Sequence, residues 1–171
     1  MRNIILIGFM GTGKSSVGKF LAKRLGAELL DSDAAVESRE KRRISEIFEK
    51  DGESGFRRIE KEVLAELLTR PNAVITTGGG AVIDADNRRA MRASGIVVSF
   101  SASPEMILER IGKTKHRPLL NRGDRLAEIR RLLDERRAYY DVCDIKIETD
   151  GMTPFEVSEI VMEALKQKGL L

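Results

Sequence analysis

The chain predicts an α/β fold of three layers, with helices on both faces of a five-stranded, mostly parallel sheet. Three observations carry this expectation. Short apolar runs alternate with longer amphipathic ones, which is the pattern of strands and crossover helices. A glycine-rich loop joins the first apolar run directly to a helical pattern. The 171 residues suit a single domain, 1–171, that buries one sheet and its covering helices.

Residues 3–7, Asn-Ile-Ile-Leu-Ile, form the first expected strand, and residues 8–15 read Gly-Phe-Met-Gly-Thr-Gly-Lys-Ser before an amphipathic stretch over 16–25. This is a phosphate-binding loop in its strand–loop–helix setting. A triphosphate needs many N–H donors at close range. Glycines let the backbone curl inward, the following helix presents its positive end, and Lys14 adds a cation. Gly11, Thr12, Gly13, Lys14, Ser15 and Ser16 are therefore the candidate nucleotide contacts, with the Ser15 hydroxyl placed for magnesium. A glycine-rich turn that binds nothing would not need all eight positions.

The second strand, 28–31, ends in Asp31-Ser32-Asp33, where the carboxyl ends of parallel strands surround a ligand crevice. Two acids at this spacing point the same way if the strand continues. Asp31 is assigned to a magnesium-bound water and Asp33 to the proton of an attacking hydroxyl. An Asp-Ser-Asp that only caps the next helix competes with that reading. After the turn signal Asp51-Gly52, a helix places Phe56, Ile59, Val63 and Leu67 on one face, with Arg57 and Glu60 on a neighbouring one. Arg57 could grip a carboxylate as a fork, although the spacing alone favours an intrahelical pair with Glu60 worth about 0.2–0.5 kcal/mol.

The third strand, 73–76, leads into Gly78-Gly79-Gly80, where a ligand could approach the backbone closely; a floppy turn is the alternative. A fourth strand covers 96–100. Ser103-Pro104 then opens a helix carrying Met106, Ile107 and Ile111. Residues 112–125 are basic, broken by glycine and proline, and without helical spacing at their centre. They read as a mobile lid that excludes water during phosphoryl transfer, with Arg117 as its cation; a solvated basic loop is the competing reading. Arg136 lies on a helix before Tyr139 and Tyr140 and is either an anion contact or part of a solvated face. A fifth strand spans 145–148. Thr153-Pro154-Phe155-Glu156 combines an N-cap, a proline and a capping-box glutamate to start the last helix, which runs to about Lys168.

Composition narrows the function classes. Thirty basic and 27 acidic residues leave a net charge of +3, too balanced for a nucleic-acid groove and better suited to small anionic ligands. The single Cys143 excludes an intrachain disulfide and suits a reducing compartment, and the single His116 cannot build a metal site with it. With no stretch long enough to span a bilayer, a soluble cytoplasmic monomer is expected.

Taken together, these segments resemble the shikimate kinases, from the first strand to the last helix. The Gly-Phe-Met-Gly-x-Gly-Lys-Ser loop, the Leu-Asp-x-Asp segment, the Phe-Arg-x-x-Glu helix, the Gly-Gly-Gly-Ala loop and the Arg-Pro-Leu-Leu lid occur in that family's order. The resemblance implies a P-loop kinase fold and ATP-dependent phosphorylation of the 3-hydroxyl of shikimate, giving shikimate 3-phosphate. It implies that Asp33 contacts the shikimate hydroxyls and activates the 3-hydroxyl, while Arg57, Arg136, Gly79 and Gly80 hold the carboxylate and ring. Arg117 would clamp the transferring phosphoryl group. Lys14 would contact the β- and γ-phosphates, Ser15 and Asp31 would serve Mg2+, and Arg110 with Pro154 would sandwich the adenine of ATP. One departure is Ala138, where the family often has proline, with spacing to the final strand one residue short; Arg136 is preferred to Arg137 by its distance from Tyr140.

Two other functions compete. Another small-molecule or nucleoside monophosphate kinase would share the loop and the basic lid, but not the Asp33, Arg57 and triple-glycine set. A GTP-dependent switch would use Asn121-Arg122-Gly123-Asp124 to read guanine. That element lies inside the basic loop, and no Asp-x-x-Gly occurs in the chain to sense a γ-phosphate.

Overall fold

The computed structural model describes residues 2–112 and 124–170. Arg117 and the expected lid lie outside these residues, apart from Gly112, Asp124 and Arg125. Strands β1 (Asn3–Gly8), β2 (Glu28–Asp31), β3 (Ala73–Thr76), β4 (Gly95–Ser101) and β5 (Ile145–Glu148) form one parallel sheet in the order β2-β3-β1-β4-β5. The central β1 is buried along its whole length, which explains its unbroken apolar run.

Alternation along β1 creates the layers. Ile4 and Leu6 pack with Val17 and Leu21 of α1 (Lys14–Leu25) and Val161 and Leu165 of α7 (Pro154–Gln167). Ile5 and Ile7 face the other side. There they share a core with Leu64 of α3 (Ile44–Leu68), Met91 of α4 (Ala85–Ser94), Ile107 of α5 (Pro104–Ile111) and Ile129 of α6 (Arg125–Tyr140). A third, smaller cluster joins Val36 of α2 (Ser32–Glu40) to Ile47, Phe56, Ile59 and Val63 of α3. This cluster builds a wall beside the edge strand β2.

Two local expectations need correcting. The extended backbone stops at Asp31, because helix α2 begins at Ser32; Asp33 therefore sits in a first helical turn and not on a strand. The α3 segment begins at Ile44, well before Phe56, with Gly52 at φ 71° and ψ 178° breaking it internally. The Asp51-Gly52 turn signal is thus a kink, and the segment before it is helical because it buries Ile47 at 0% exposure.

The helix starts follow their sequence caps. Ser103 Oγ accepts from Met106 N, and Thr153 and Glu156 form the reciprocal capping box of α7. The chain leaves β1 toward β2 and β3 on one side and later returns to β4 on the other. The carboxyl end of β1 is therefore the point where the topology reverses, and a ligand crevice is expected there.

Candidate active site

The loop after β1 is shaped by its own contacts. Gly8 has φ 144° and lies so close to the Phe100 carbonyl that a Cβ would collide with it, so no other residue fits. Thr12 is 1% exposed, and its hydroxyl donates to Phe9 O at 2.8 Å; it braces the loop from within. Lys14 Nζ donates to Gly8 O at 2.8 Å and Phe9 O at 2.9 Å. The lysine therefore folds back over the concave side, its charge held where backbone amides converge at the start of α1.

Asp31 joins this loop to β2. Its Oδ1 accepts from Ala34 N at 3.1 Å, capping α2, while Oδ2 accepts from Ser15 Oγ at 3.1 Å and Thr76 Oγ1 at 2.7 Å. The capping reading and the magnesium reading therefore use different oxygens of one carboxylate. A serine hydroxyl that donates to a carboxylate keeps lone pairs for a cation. Two adjacent hard oxygen donors beside a phosphate loop suit Mg2+, which keeps several waters and takes few protein ligands.

The triple glycine is the junction of the site, and each glycine makes room for something different. A Cβ on Gly78 would lie 2.7 Å from Asp33 Oδ1 and 2.8 Å from Glu60 Oε1. One on Gly79 would lie 3.1 Å from Met10 N and 3.5 Å from Gly8 O, in the phosphate loop. One on Gly80 would be driven into the Arg57 guanidinium. The segment is no floppy turn. Ser32 Oγ accepts from Gly78 N at 2.9 Å, and Tyr140 Oη donates to Gly79 O at 2.6 Å. Through this segment Asp33, Arg57 and the phosphate loop share one crevice.

Arg57 keeps the intrahelical pairing that its spacing suggests, donating to Glu60 Oε2 at 2.7 Å and Glu53 Oε1 at 3.3 Å. Glu60, however, is only 1% exposed, so this is no solvated surface pair. Burial raises the Glu60 carboxyl above its ordinary value; Arg57 and Arg136 pull it down and Asp33 pushes it up. Its Oε1 has no hydrogen-bond partner among the described residues. Arg136 is turned inward at 5% exposure, 5.7 Å from the Phe9 ring centroid, whereas Arg137 lies in solvent and pairs with Asp134 at 2.8 Å. Burial pushes the Tyr140 hydroxyl up to about 12, so it remains a neutral donor.

Arg110 and Pro154 line a cleft of about 340 Å³ with Gly11, Thr12, Gly13, Ser16, Val17, Thr149, Met152 and Val157. Arg110 is tethered there, donating to Gly11 O at 3.2 Å, Thr149 Oγ1 at 3.0 Å and Thr149 O at 2.8 Å. An apolar floor beneath a fixed guanidinium can take a flat base. A larger cavity of about 610 Å³ lies between α6 and the β4–β5 edge. Its cations Arg130, Arg137 and Lys146 are each already paired with an acid, so size alone does not mark the reactive site.

The structure thus gathers Gly11 to Ser16, Asp31, Asp33, Arg57, Gly79, Gly80 and Arg136 along the carboxyl edge of the sheet, with Arg110 and Pro154 in the adjoining cleft. Thr76, Ser32, Glu60 and Tyr140 also belong to the site and were not expected there. Of these, Glu60 carried a sequence signal in its spacing from Arg57, and Tyr140 served in the sequence only as the marker for choosing Arg136.

Comparison with known proteins points to one family. The family model described as shikimate kinase matches residues 10–167. A shikimate kinase of Pelotomaculum thermopropionicum is 41% identical over 167 residues, spanning 98% of this chain and 97% of that protein. Among solved structures, shikimate kinase from Acinetobacter baumannii in complex with shikimate superposes with a TM-score of 0.96 at 39% identity, covering 100% of this chain and 96% of that one. Shikimate kinase from Aquifex aeolicus gives a TM-score of 0.87 at 40% identity, covering 98% of each chain.

Proposed function

We infer the activity of this chain from its family: it belongs to the shikimate kinases, and it phosphorylates shikimate with ATP. The observation that carries the reading is the junction at Gly78 to Gly80, where Asp33 and Arg57 meet the phosphate loop across one glycine segment. A nucleotide site and a pocket for a small hydroxylated acid then share a single crevice.

In this reading the 3-hydroxyl is the acceptor and shikimate 3-phosphate the product. The hydroxyl oxygen attacks the γ-phosphorus, the bond to the bridging oxygen of the β-phosphate breaks, and ADP leaves without a covalent enzyme intermediate. Asp33 accepts the hydroxyl proton. Arg57 and Arg136, with the backbone at Gly79 and Gly80, hold the carboxylate and ring, a match of forked donors to a planar anion. Gly11 to Ser16 cradle the phosphates, Lys14 balances the charge that develops on them, and Arg110 with Pro154 encloses the adenine. Arg117 is assigned to the transferring phosphoryl group from its Arg-Pro-Leu-Leu motif alone. Ser15 and Asp31 would hold Mg2+, which when bound neutralises phosphate charge. Catalysis then rests on positioning and charge stabilisation.

Residues 1–171 act in this reading as one domain and as a cytoplasmic monomer of 19.1 kDa. No helix among the described residues is long and apolar enough to cross a membrane. The reading is tested by coupled ADP release over shikimate, quinate, gluconate and nucleoside monophosphates. Shikimate is expected to give the highest kcat/KM; a nucleoside monophosphate outperforming it would replace this reading with the nucleotide kinase one.

A further inference from the structure

The junction between β2 and α2 is fastened to the chain leaving β3 at two successive residues. Asp31 Oδ2 accepts from Thr76 Oγ1 at 2.7 Å, and Ser32 Oγ accepts from Gly78 N at 2.9 Å. Asp31 and Thr76 are also the last pair of the β2–β3 ladder, since the backbone beyond Asp31 turns helical. Gly78 N, past that pair, therefore has no extended β2 backbone beside it to accept its proton. The Ser32 hydroxyl takes that place. Ser32 is 0% exposed and Gly78 is buried, so water does not stand in for the serine, and a buried N–H left without a partner is costly.

We propose that Ser32 is a positioning residue for the proton-accepting carboxylate: its bond to Gly78 N fixes where Asp33 stands against the glycine segment. Asp33 follows Ser32 in the first turn of α2. A Cβ on Gly78 would meet Asp33 Oδ1 at 2.7 Å, so contact stops the carboxylate from moving closer to the segment. Contact does not stop it from moving away. The Asp31 tie to Thr76 is a single point about which the start of α2 can pivot, and the Ser32 bond removes that freedom. On its other side the glycine segment is held by Tyr140 Oη, which donates to Gly79 O at 2.6 Å. Losing the Ser32 bond therefore releases α2 and its carboxylate, while the glycines stay in place.

The proposal rests on Asp33 as the proton acceptor, and its test separates the two claims. Ser32→Ala removes the hydroxyl and leaves the Gly78 N–H unpaired. The shikimate-dependent kcat is expected to fall about 10- to 100-fold, the scale of a small displacement beside reacting atoms, with the shikimate KM and the ATP dissociation constant within about threefold. A purely structural role would lower Tm and leave kcat per folded molecule intact. Ser32→Thr keeps the hydroxyl and should hold kcat within about threefold of the wild type. Ser94→Ala removes a hydroxyl that donates to Met91 O at 3.1 Å, at the amino end of β4 and away from the site, and should leave kcat unchanged. In an Asp33→Asn background, Ser32→Ala should lower kcat by less than about twofold, because residues acting through one another are not additive. An unchanged kcat in Ser32→Ala overturns the proposal, as does an equal loss in Ser32→Thr or the same loss in both backgrounds. A Ser32→Ala chain that does not fold also overturns it, since the hydroxyl would then hold the fold and not the carboxylate. An Asp33→Asn enzyme as fast as the wild type would instead remove the functional reading beneath it.

Discussion

Arg57 and Glu60 show how burial changes the meaning of a residue pair. Spacing alone suggests a surface contact worth a few tenths of a kcal/mol, but Glu60 is 1% exposed. Removing Arg57 would strand a buried carboxyl group and, in the proposed reading, a substrate carboxylate. Arg57→Ala is therefore expected to cost about 2–5 kcal/mol in kcat/KM for shikimate, measured by steady-state kinetics; unchanged efficiency would remove Arg57 from the site. Glu60 also makes a pH prediction. Burial holds its pKa above the ordinary carboxylate value despite Arg57, so the folded chain keeps this proton longer than the unfolded chain does. The associated stability is complete below the unfolded pKa and is lost as pH rises through the raised one. Glu60→Gln should flatten that fall in a series of melting curves taken upward from about pH 4, whereas parallel Tm profiles would contradict the assignment. The positions of Arg57 and Asp33 beside the glycine segment were legible from the family's motifs, since spacing alone favoured an Arg57–Glu60 pair. The bonds of Tyr140 and Ser32 to the glycine segment were not, because a hydroxyl that bonds a distant backbone leaves no periodic trace.

At the scale of elements, Asp31 binds three of them: it caps α2, and it accepts from Ser15 at the head of α1 and from Thr76 at the end of β3. An asparagine can still cap the helix, yet it cannot supply charge for a cation. Asp31→Asn should keep Tm within a few degrees while weakening Mg2+-dependent ATP turnover; Asp31→Ala should in addition lose about 0.5–2 kcal/mol of stability with its cap. Equal turnover in wild type and Asp31→Asn would leave only the capping role. Gly80→Ala tests the glycine segment in the same way. The new methyl would press on Arg57, so the shikimate KM should rise while the ATP KM stays put, and an unaltered shikimate KM would show that Arg57 can move aside. Strands β1, β3 and β4 were readable because a doubly covered parallel sheet demands short apolar runs, while β5 showed as an alternation that buries Ile145 and Ile147 and the edge strand β2 is exposed or half-buried throughout. Helix α2 was harder to read: only Ser32 and Val36 are buried in it, so its sequence shows no apolar stripe. The early start of α3 was hidden by Gly52, whose positive φ reads in sequence as an ending.

For the whole molecule, sheet order places the phosphate loop at the topological reversal and sets the α2–α3 wall on one side of it. Glycines at 78, 79 and 80 close the distance between the two halves of the crevice. The fold class followed from alternation of periodicities, and the residues of both candidate half-sites were proposed from motifs. Their meeting depended on which strand lies next to which, and no local pattern encodes that. If the two halves work as one site, a group on the acceptor side must control the chemical step without touching nucleotide affinity. The direct measurement is the shikimate-dependent kcat of Asp33→Asn, taken with its ATP dissociation constant. Loss of a positioned proton acceptor is expected to lower kcat by about 10²- to 10⁴-fold with ATP affinity unchanged. A kcat close to that of the wild type would contradict the account.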